Sequence, residues 1–152
     1  MTEEVKKLVD AARRARDCSL SPFSNFCVGA AVETEDGVIY TGCNIESASF
    51  GLTVCAERIA IWKALSEGER KFKRLAVVVD TTPLTPPCGT CRQIIWEFCR
   101  DVEVVLANLH GDVETDMMRD LLPRAFDARF LNQTTGGKGS DSNEQKGTKP
   151  GD

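Results

Sequence analysis

The strongest constraint on the fold of this chain is a set of three cysteines and one glutamate that lie far apart in the sequence. Cys55 is followed two residues later by Glu57. Cys88 and Cys91 form a C-x-x-C pair further along the chain, directly after two prolines. A catalytic zinc ion takes three protein ligands, leaves a fourth position open for water, and works beside a proton carrier that does not bind the metal. The pattern predicts such a site, so the fold must bring Cys55 next to the C-x-x-C pair.

A catalytic site is favoured because no fourth ligand is visible in the sequence. A C-x-x-C pair alone also occurs in redox motifs and in halves of structural zinc sites. A structural site would normally need a second close pair of Cys or His. His110 is the only histidine, and Cys18, Cys27, Cys43 and Cys99 form no such pair.

The positions of Cys55 and Cys91 near the starts of two predicted helices favour the thiolate form, because helix N-termini lower thiol pKa values. Three thiolates around Zn²⁺ leave a net negative charge, which disfavours ionisation of a bound water. Arg58 is predicted to compensate by donating hydrogen bonds to one or more ligand sulfurs. The alternative for Arg58 is an ordinary exposed helix arginine.

Glu57 is predicted to be a general acid and base. It lies on the first turn of its helix, two residues from Cys55, so its carboxylate can reach a water at the metal without binding the ion. The alternative is a glutamate that is favoured at this position only by the helix dipole.

Composition limits the class of protein. With 152 residues, 41% hydrophobic and 28% charged, the chain has the make-up of one soluble domain, and its net charge of −4 argues against sequence-independent nucleic-acid binding. Seven cysteines is an odd number, and the sequence contains neither an apolar signal segment nor an apolar run of membrane-spanning length. We therefore expect a cytoplasmic protein without a membrane partner, rather than a secreted disulfide scaffold.

The apolar pattern predicts helices and strands in mixed order. The predicted elements are an amphipathic helix over 3–17, a hairpin of strands over 27–33 and 38–42, a buried helix over 54–67, parallel strands over 75–79 and 102–107 joined by a helix over 92–100, and a short helix over 116–122. From residue 133 onward there is no Leu, Ile, Val, Met or aromatic residue. The tail over 132–152 is therefore predicted to be disordered.

Several motifs resemble those of the zinc-dependent cytidine deaminases. C-A-E-R at 55–58 with P-C-x-x-C at 87–91 resembles the metal-binding signature. Residues 21–30 resemble the family's Tyr-Ser-x-Phe-Pro-Val-Gly-Ala block, with Cys27 in place of the usual proline, and residues 42–46 resemble its Gly-x-Asn-x-Glu block. The first ligand is a cysteine, which resembles the small homotetrameric members of the family that act on free nucleosides. Polynucleotide deaminases usually have a histidine at this position.

The resemblance implies a fold and a reaction. The fold is a three-layer α/β/α domain over residues 1–131, with a mixed sheet of about five strands. Cys55, Cys88 and Cys91 hold one Zn²⁺ per subunit. Cytidine and 2′-deoxycytidine are hydrolysed to uridine and 2′-deoxyuridine by attack of zinc-bound hydroxide at C4, with Glu57 handling the protons and ammonia released, as in pyrimidine salvage.

The resemblance also implies substrate contacts. Phe26 packs on the pyrimidine, Asn44 and Glu46 hold the ribose 3′-hydroxyl, and Ala56 contacts the substrate. Phe126 resembles a C-terminal aromatic that reaches the site of a neighbouring subunit, which fits a homotetramer. Without the resemblance, Phe26 reads as a core residue and Asn44 as a turn residue.

Two other functions stay open at this stage. One is a zinc deaminase that acts on a nucleoside-like antibiotic, a modified nucleoside or RNA. The other is a non-enzymatic interaction module stabilised by zinc. Glu57 distinguishes the second of these, because a purely structural zinc site has no use for an acid beside an open coordination position.

Overall fold

The computed structural model describes residues 1–131 and 133, and five strands in this part of the chain form one mixed sheet. The strands are β1 (Val28–Thr34), β2 (Ile39–Cys43), β3 (Phe72–Val79), β4 (Glu103–Ala107) and β5 (Val113–Met117). Their order across the sheet is β2-β1-β3-β4-β5. β3 and β4 are parallel, while the other neighbouring pairs are antiparallel. The predicted hairpin and the predicted parallel pair are therefore both present.

Four α-helices accompany the sheet within the described residues. They are α1 (Glu3–Arg16), α2 (Ala56–Ser66), α3 (Gly89–Cys99) and α4 (Met118–Leu121), and short 3₁₀ turns lie at Phe50–Leu52 and Ala128–Phe130. α2 follows the hairpin, and α3 is the crossover between the parallel strands. No helix in this part of the chain has the length and apolar character needed to cross a membrane.

The sheet carries one apolar core on each face, because successive side chains of a strand point to opposite sides. In β3, Leu75 and Val77 belong to a core that includes side chains of α2, α3 and α4. Their neighbours Ala76 and Val78 belong to a second core, formed with α1. This arrangement confirms the predicted three-layer α/β/α fold.

Two glycines allow helices to lie directly against the hairpin. A Cβ atom on Gly42 in β2 would overlap the backbone oxygen of Ala56 and lie 2.6 Å from the backbone nitrogen of Ala60, both in α2. A Cβ atom on Gly29 in β1 would overlap the backbone oxygen of Ala12 in α1. Each glycine therefore sets the distance between the hairpin and one helix, and α2 carries part of the candidate site.

One prediction about the elements is only partly right. Residues 116–122 are predicted as a helix, but the chain forms the edge strand β5 as far as Met117, and α4 begins only at Met118. β5 pairs with β4 alone and reads Val-Glu-Thr-Asp-Met, with partly or fully exposed side chains. An edge strand of this kind lacks the alternating apolar pattern on which strand prediction depends. The predicted disordered tail over 132–152 lies outside the described residues, apart from residue 133.

Candidate active site

The fold brings together the three cysteines that the sequence singles out. Cys55 is the N-cap residue of α2, Cys88 is the N-cap residue of α3, and Cys91 lies in the first turn of α3. The three sulfur atoms lie within 4.8 Å of one another, and the Sγ atoms of Cys55 and Cys88 are 4.0 Å apart. Three soft sulfur donors at this spacing fit zinc far better than the hard cations Ca²⁺ or Mg²⁺, which prefer oxygen ligands.

The surroundings favour negative charge on Cys55. Hydrogen bonding with Cys91, aided by Arg58, lowers the pKa of the Cys55 thiol to about 5, against the opposing effect of burial. The pKa of Cys91 is raised, because its thiol is hydrogen-bonded to Cys55 and is buried. The hydrogen bonds and the two helix N-termini therefore favour the thiolate form that a metal ligand must take.

Arg58 lies against this cluster. Its Nη2 atom is 3.6 Å from Cys55 Sγ, within hydrogen-bonding distance of a sulfur, and 3.3 Å from the backbone oxygen of Thr53. Its guanidinium carbon lies 5.9 Å from the ring centroid of Trp62, one turn further along α2. The positive charge is thus held next to the thiolate by contacts on both sides.

Glu57 is buried beside the cysteines, with 4% of the residue exposed. Burial, together with the neighbouring Cys55 thiolate, raises the pKa of the Glu57 carboxyl to about 7, while Arg58 and a backbone hydrogen bond oppose the rise. A carboxyl group with a pKa near neutrality can both accept and donate a proton under physiological conditions. Its burial and raised pKa agree with the predicted role of a general acid and base, which stays a prediction.

A cavity of about 340 Å³ opens beside the cysteine cluster. Cys55, Glu57 and Cys88 form part of its wall, and apolar side chains from the sheet and from a nearby loop form much of the remainder. The predicted residues Phe26, Asn44 and Glu46 also line it. The cavity is therefore apolar with a few polar groups, and its size suits a small ligand.

The side chain of Asn44 is largely committed to contacts within the protein. Its Oδ1 atom accepts hydrogen bonds from the Val28 backbone N–H at 2.9 Å and from the Ser19 hydroxyl at 2.5 Å. Its Nδ2 atom donates to the backbone oxygen of Phe26 at 2.6 Å. Asn44 thus fixes the loop that carries Phe26, and among these contacts one Nδ2 hydrogen remains for a ligand.

Glu46 is partly buried and has one engaged oxygen. Its Oε1 atom accepts from the Ser24 hydroxyl at 2.6 Å, and the Ser24 backbone N–H lies 3.4 Å from the same atom. The Glu46 backbone N–H donates to the backbone oxygen of Leu20 at 2.8 Å. Both the main chain and the side chain of Glu46 are therefore held by the segment that precedes β1.

Two predicted substrate residues are not on the wall of this cavity. Ala56 is fully buried at the first position of α2, next to the residues that do line it. Phe126 lines a separate cavity with Trp96 and Phe130, and its ring stacks on Phe130 with centroids 5.9 Å apart. Because the structure contains one chain, the role of Phe126 in a neighbouring subunit stays a prediction.

Sequence reasoning missed several residues that line the cavity. They are Ser24, Val28, Thr53, Val54, Val77, Val79, Thr85 and Pro86. The valines read as ordinary core residues, since they lie in or beside strands. Ser24 stands inside the motif that contains Phe26, and this position was the one signal that could have identified it.

Comparisons with known proteins agree with this geometry. A family model described as "Cytidine and deoxycytidylate deaminase zinc-binding region" matches residues 2–108. The chain is 50% identical over 129 residues to a cytidine deaminase of Sporosarcina psychrophila, covering 84% of this chain and 95% of that protein. It is 48% identical over 126 residues to a cytidine deaminase of Halalkalibacterium halodurans, covering 82% of this chain and 96% of that protein.

Among solved structures, the fold is similar to that of a cytidine deaminase from Burkholderia pseudomallei. The TM-score is 0.78 at 47% sequence identity, and the match covers 83% of this chain and all of that one. The similarity therefore extends over most of the chain and over the whole of that protein.

Proposed function

This chain belongs to the cytidine and deoxycytidylate deaminase family, and from that premise we propose that it removes the 4-amino group of free cytidine and 2′-deoxycytidine. The reaction is hydrolytic, yields uridine or 2′-deoxyuridine, and releases ammonia. One observation carries the proposal: a buried glutamate with a near-neutral pKa lies in the same cavity wall as a cluster of three cysteine sulfurs.

Cys55, Cys88 and Cys91 are the residues that would hold one zinc ion per subunit. Their number and chemistry are those of a catalytic site with three protein ligands. When bound, the ion activates a water molecule for attack on the pyrimidine ring. Arg58 offsets the negative charge of the three thiolates through its contact with Cys55.

Glu57 moves the protons of the reaction. Its carboxylate accepts a proton from the attacking water and donates it to N3 of the ring; it then accepts the second proton from the new hydroxyl at C4 and delivers it to the departing amino group, so that C4 becomes a carbonyl and ammonia leaves. A pKa of about 7 supports this sequence, because a strongly acidic carboxyl would not return the proton. The surrounding apolar walls strengthen these transfers by excluding bulk water.

The remaining cavity residues bind the nucleoside. The Phe26 ring packs on the pyrimidine, and Glu46, helped by the free hydrogen of Asn44, accepts the ribose 3′-hydroxyl. The predicted contact of Ala56 with the base has no support from this cavity, because Ala56 is fully buried and lies behind the wall. A carboxylate near the 3′ position would repel a phosphate, so a free nucleoside is favoured over a polynucleotide.

The proposal is tested by following the loss of cytidine's ultraviolet absorbance, with and without prior removal of zinc by a chelator. Glu57→Gln keeps the shape of the side chain but cannot carry the proton, so turnover should fall by about 10²- to 10⁴-fold. Zinc content should stay at one ion per chain. Unchanged turnover in this variant would contradict the mechanism.

A substrate panel separates this function from the alternative deaminases. Cytidine and 2′-deoxycytidine should react much faster than cytidine monophosphate, a single-stranded oligonucleotide or a nucleoside-like antibiotic. If cytidine monophosphate, the oligonucleotide or the antibiotic reacts fastest, the chain belongs to another branch of the family.

The setting of the enzyme is also part of the proposal. We expect a homotetramer in which Phe126 completes the cavity of a neighbouring subunit, and a cytoplasmic role in pyrimidine salvage. The exposure of Phe126, 57%, supports a contact with another chain. The net charge of −4 supports a nucleoside substrate rather than a nucleic-acid partner.

A further inference from the structure

The hydroxyl of Ser24 connects two residues of the cavity. It donates a hydrogen bond to Glu46 Oε1 at 2.6 Å and accepts one from the Phe26 backbone N–H at 3.0 Å. Ser24 itself lines the cavity. One small side chain thus joins the carboxylate to the loop that presents the aromatic ring.

These contacts make the two oxygens of Glu46 unequal. Oε1 receives the Ser24 hydroxyl and approaches the Ser24 backbone N–H at 3.4 Å. Oε2 has neither a hydrogen bond nor an ion pair with any residue in ranges 1–131 and 133. The carboxylate is therefore held by one oxygen, while the other remains able to accept a hydrogen bond from a ligand.

We propose that Ser24 is a positioning residue that fixes the Glu46 carboxylate so that its Oε2 atom accepts one sugar hydroxyl of the substrate. The inference rests on the proposed function, which assigns Glu46 to the ribose 3′-hydroxyl. Without the Ser24 hydroxyl, a partly exposed glutamate side chain would rotate among several conformations. The nucleoside would then have to order the carboxylate as it binds, which weakens binding.

The contact of Ser24 is with a residue that holds the sugar and lies away from the atoms that react. Its loss should therefore affect the bound substrate and the transition state equally, and such a loss raises KM while kcat stays the same. Ser24→Ala should raise the KM for cytidine roughly three- to tenfold, the effect of losing one hydrogen bond. Ser24→Thr keeps the hydroxyl and should restore most of the binding.

The test compares cytidine with 3′-deoxycytidine, which lacks the hydroxyl assigned to Glu46. Both substrates are assayed with the wild-type enzyme, Ser24→Ala and Ser24→Thr. For 3′-deoxycytidine, wild type and Ser24→Ala should have the same KM, because the group that Ser24 helps to bind is absent. Zinc content and the thermal unfolding midpoint of each variant are measured to establish that it is folded.

Each outcome separates the two hypotheses. Suppose that wild type deaminates cytidine but Ser24→Ala raises the KM for both substrates equally. Ser24 then acts on the loop or on Phe26, so the inference is overturned while the proposed function stands. An unchanged KM for cytidine in Ser24→Ala overturns it as well. If the wild-type enzyme deaminates neither substrate, the proposed function fails, and the inference fails with it.

An unfolded or zinc-free Ser24→Ala protein would show that the hydroxyl supports the fold rather than the sugar, which also contradicts the inference. Glu46→Ala removes the acceptor of the Ser24 hydroxyl and supplies an independent measurement. Adding Ser24→Ala to Glu46→Ala should raise the KM for cytidine less than Ser24→Ala does alone, because the two residues act through one contact. Full additivity of the two changes would count against the inference.

Discussion

At the scale of single residues, the chemistry of the site depends on how the charge of three sulfurs is balanced. Two helix N-termini supply part of the balance, since Cys55 and Cys88 are N-cap residues. Within residues 1–131 and 133, Arg58 supplies the only full positive charge with a hydrogen bond to one of the three sulfurs. A residue that touches a ligand atom in this way sets both metal affinity and the acidity of the bound water.

We predict that Arg58→Ala lowers zinc affinity or turnover by about 10- to 100-fold, the range observed for partners of metal ligands. Zinc affinity is measured by competition with a chelator, and turnover by the ultraviolet assay. Trp62→Leu is the matched control, because it removes the cation–π contact of Arg58 but leaves the guanidinium near Cys55. Equal zinc affinity and turnover in wild type and Arg58→Ala would show that Arg58 has no role in the site.

Individual residue roles could be predicted only where chemistry alone suggests them. Thiols spaced for a metal, with a carboxylate close by in the sequence, can be recognised from residue types. The internal hydrogen bonds of Asn44 and the contact of Ser24 with Glu46 could not be recognised, because both depend on how two loops meet in space. Asn44 fits both interpretations that the sequence allows, a turn residue and a substrate contact, since it organises a loop and also lines the cavity.

At the scale of elements, the position of α2 decides whether the site forms. This helix carries Glu57 and begins beside Cys55, and Gly42 of β2 allows it to approach the hairpin closely. A side chain at position 42 would push α2 away from the sheet and move Cys55 relative to α3. Packing at a position outside the cavity wall is thus coupled to the geometry of the metal ligands.

Gly42→Ala is predicted to lower the free energy of unfolding by about 1–3 kcal/mol, the usual effect of overpacking, and to weaken zinc binding as well. Gly29→Ala introduces a similar clash on the opposite face, against α1. It should reduce stability without a comparable effect on zinc. Denaturant unfolding and chelator competition on both variants check this, and equal zinc affinity in the two would contradict it.

The segment after α4 is attached to α3 through Asp127, which is only 3% exposed. Its carboxylate accepts from Trp96 Nε1 at 3.1 Å and from Arg129 Nη2 at 2.7 Å. Arg129, followed by Trp96, holds the pKa of Asp127 well below its ordinary value of 3.8. A depressed folded-state pKa means that ionised Asp127 stabilises the fold above about pH 4, and that this contribution is lost as the pH falls further.

Asp127→Asn should therefore destabilise the protein at pH 7, and the difference from wild type should shrink as the pH is lowered below about 4. Unfolding midpoints measured across this pH range test the prediction. Asp101→Asn is the control, since the Asp101–Arg119 pair is more exposed and such pairs contribute little. A difference that stays constant with pH would show that ionisation of Asp127 is not the cause.

The elements differ in how well the sequence predicts them. β3 and β4 are predictable because a strand covered on both faces is a continuous apolar run, and α1 because its single buried stripe has a helical period. β5 is not, because it lies at the sheet edge and its polar side chains need no burial. The order β2-β1-β3-β4-β5 was also beyond the sequence, since pairing between distant strands leaves no local pattern.

At the scale of the whole molecule, the question is whether one chain forms a complete enzyme. Phe126 and Phe130 stack on each other, and both are more than half exposed. Apolar rings at a surface of this kind often mark contacts between protein chains. They are grouped around a second cavity, separate from the one that contains Glu57.

Activity is therefore predicted to depend on assembly. If the chain forms the proposed homotetramer, dilution until it dissociates should lower specific activity in parallel with the tetramer fraction, because each cavity would lose the Phe126 proposed to come from its neighbour. Mass photometry and the ultraviolet assay on the same samples measure both quantities. A purified monomer with full activity would disprove the shared cavity.

The division of the interior by the sheet has a practical consequence. The residues that line the cavity belong to the segments that flank the hairpin, to the hairpin itself, to β3, or to segments around α2 and α3, whereas the core beneath α1 contributes none of them. A more heat-tolerant variant can thus be sought by repacking the apolar core under α1 at constant side-chain volume, which leaves substrate selectivity intact.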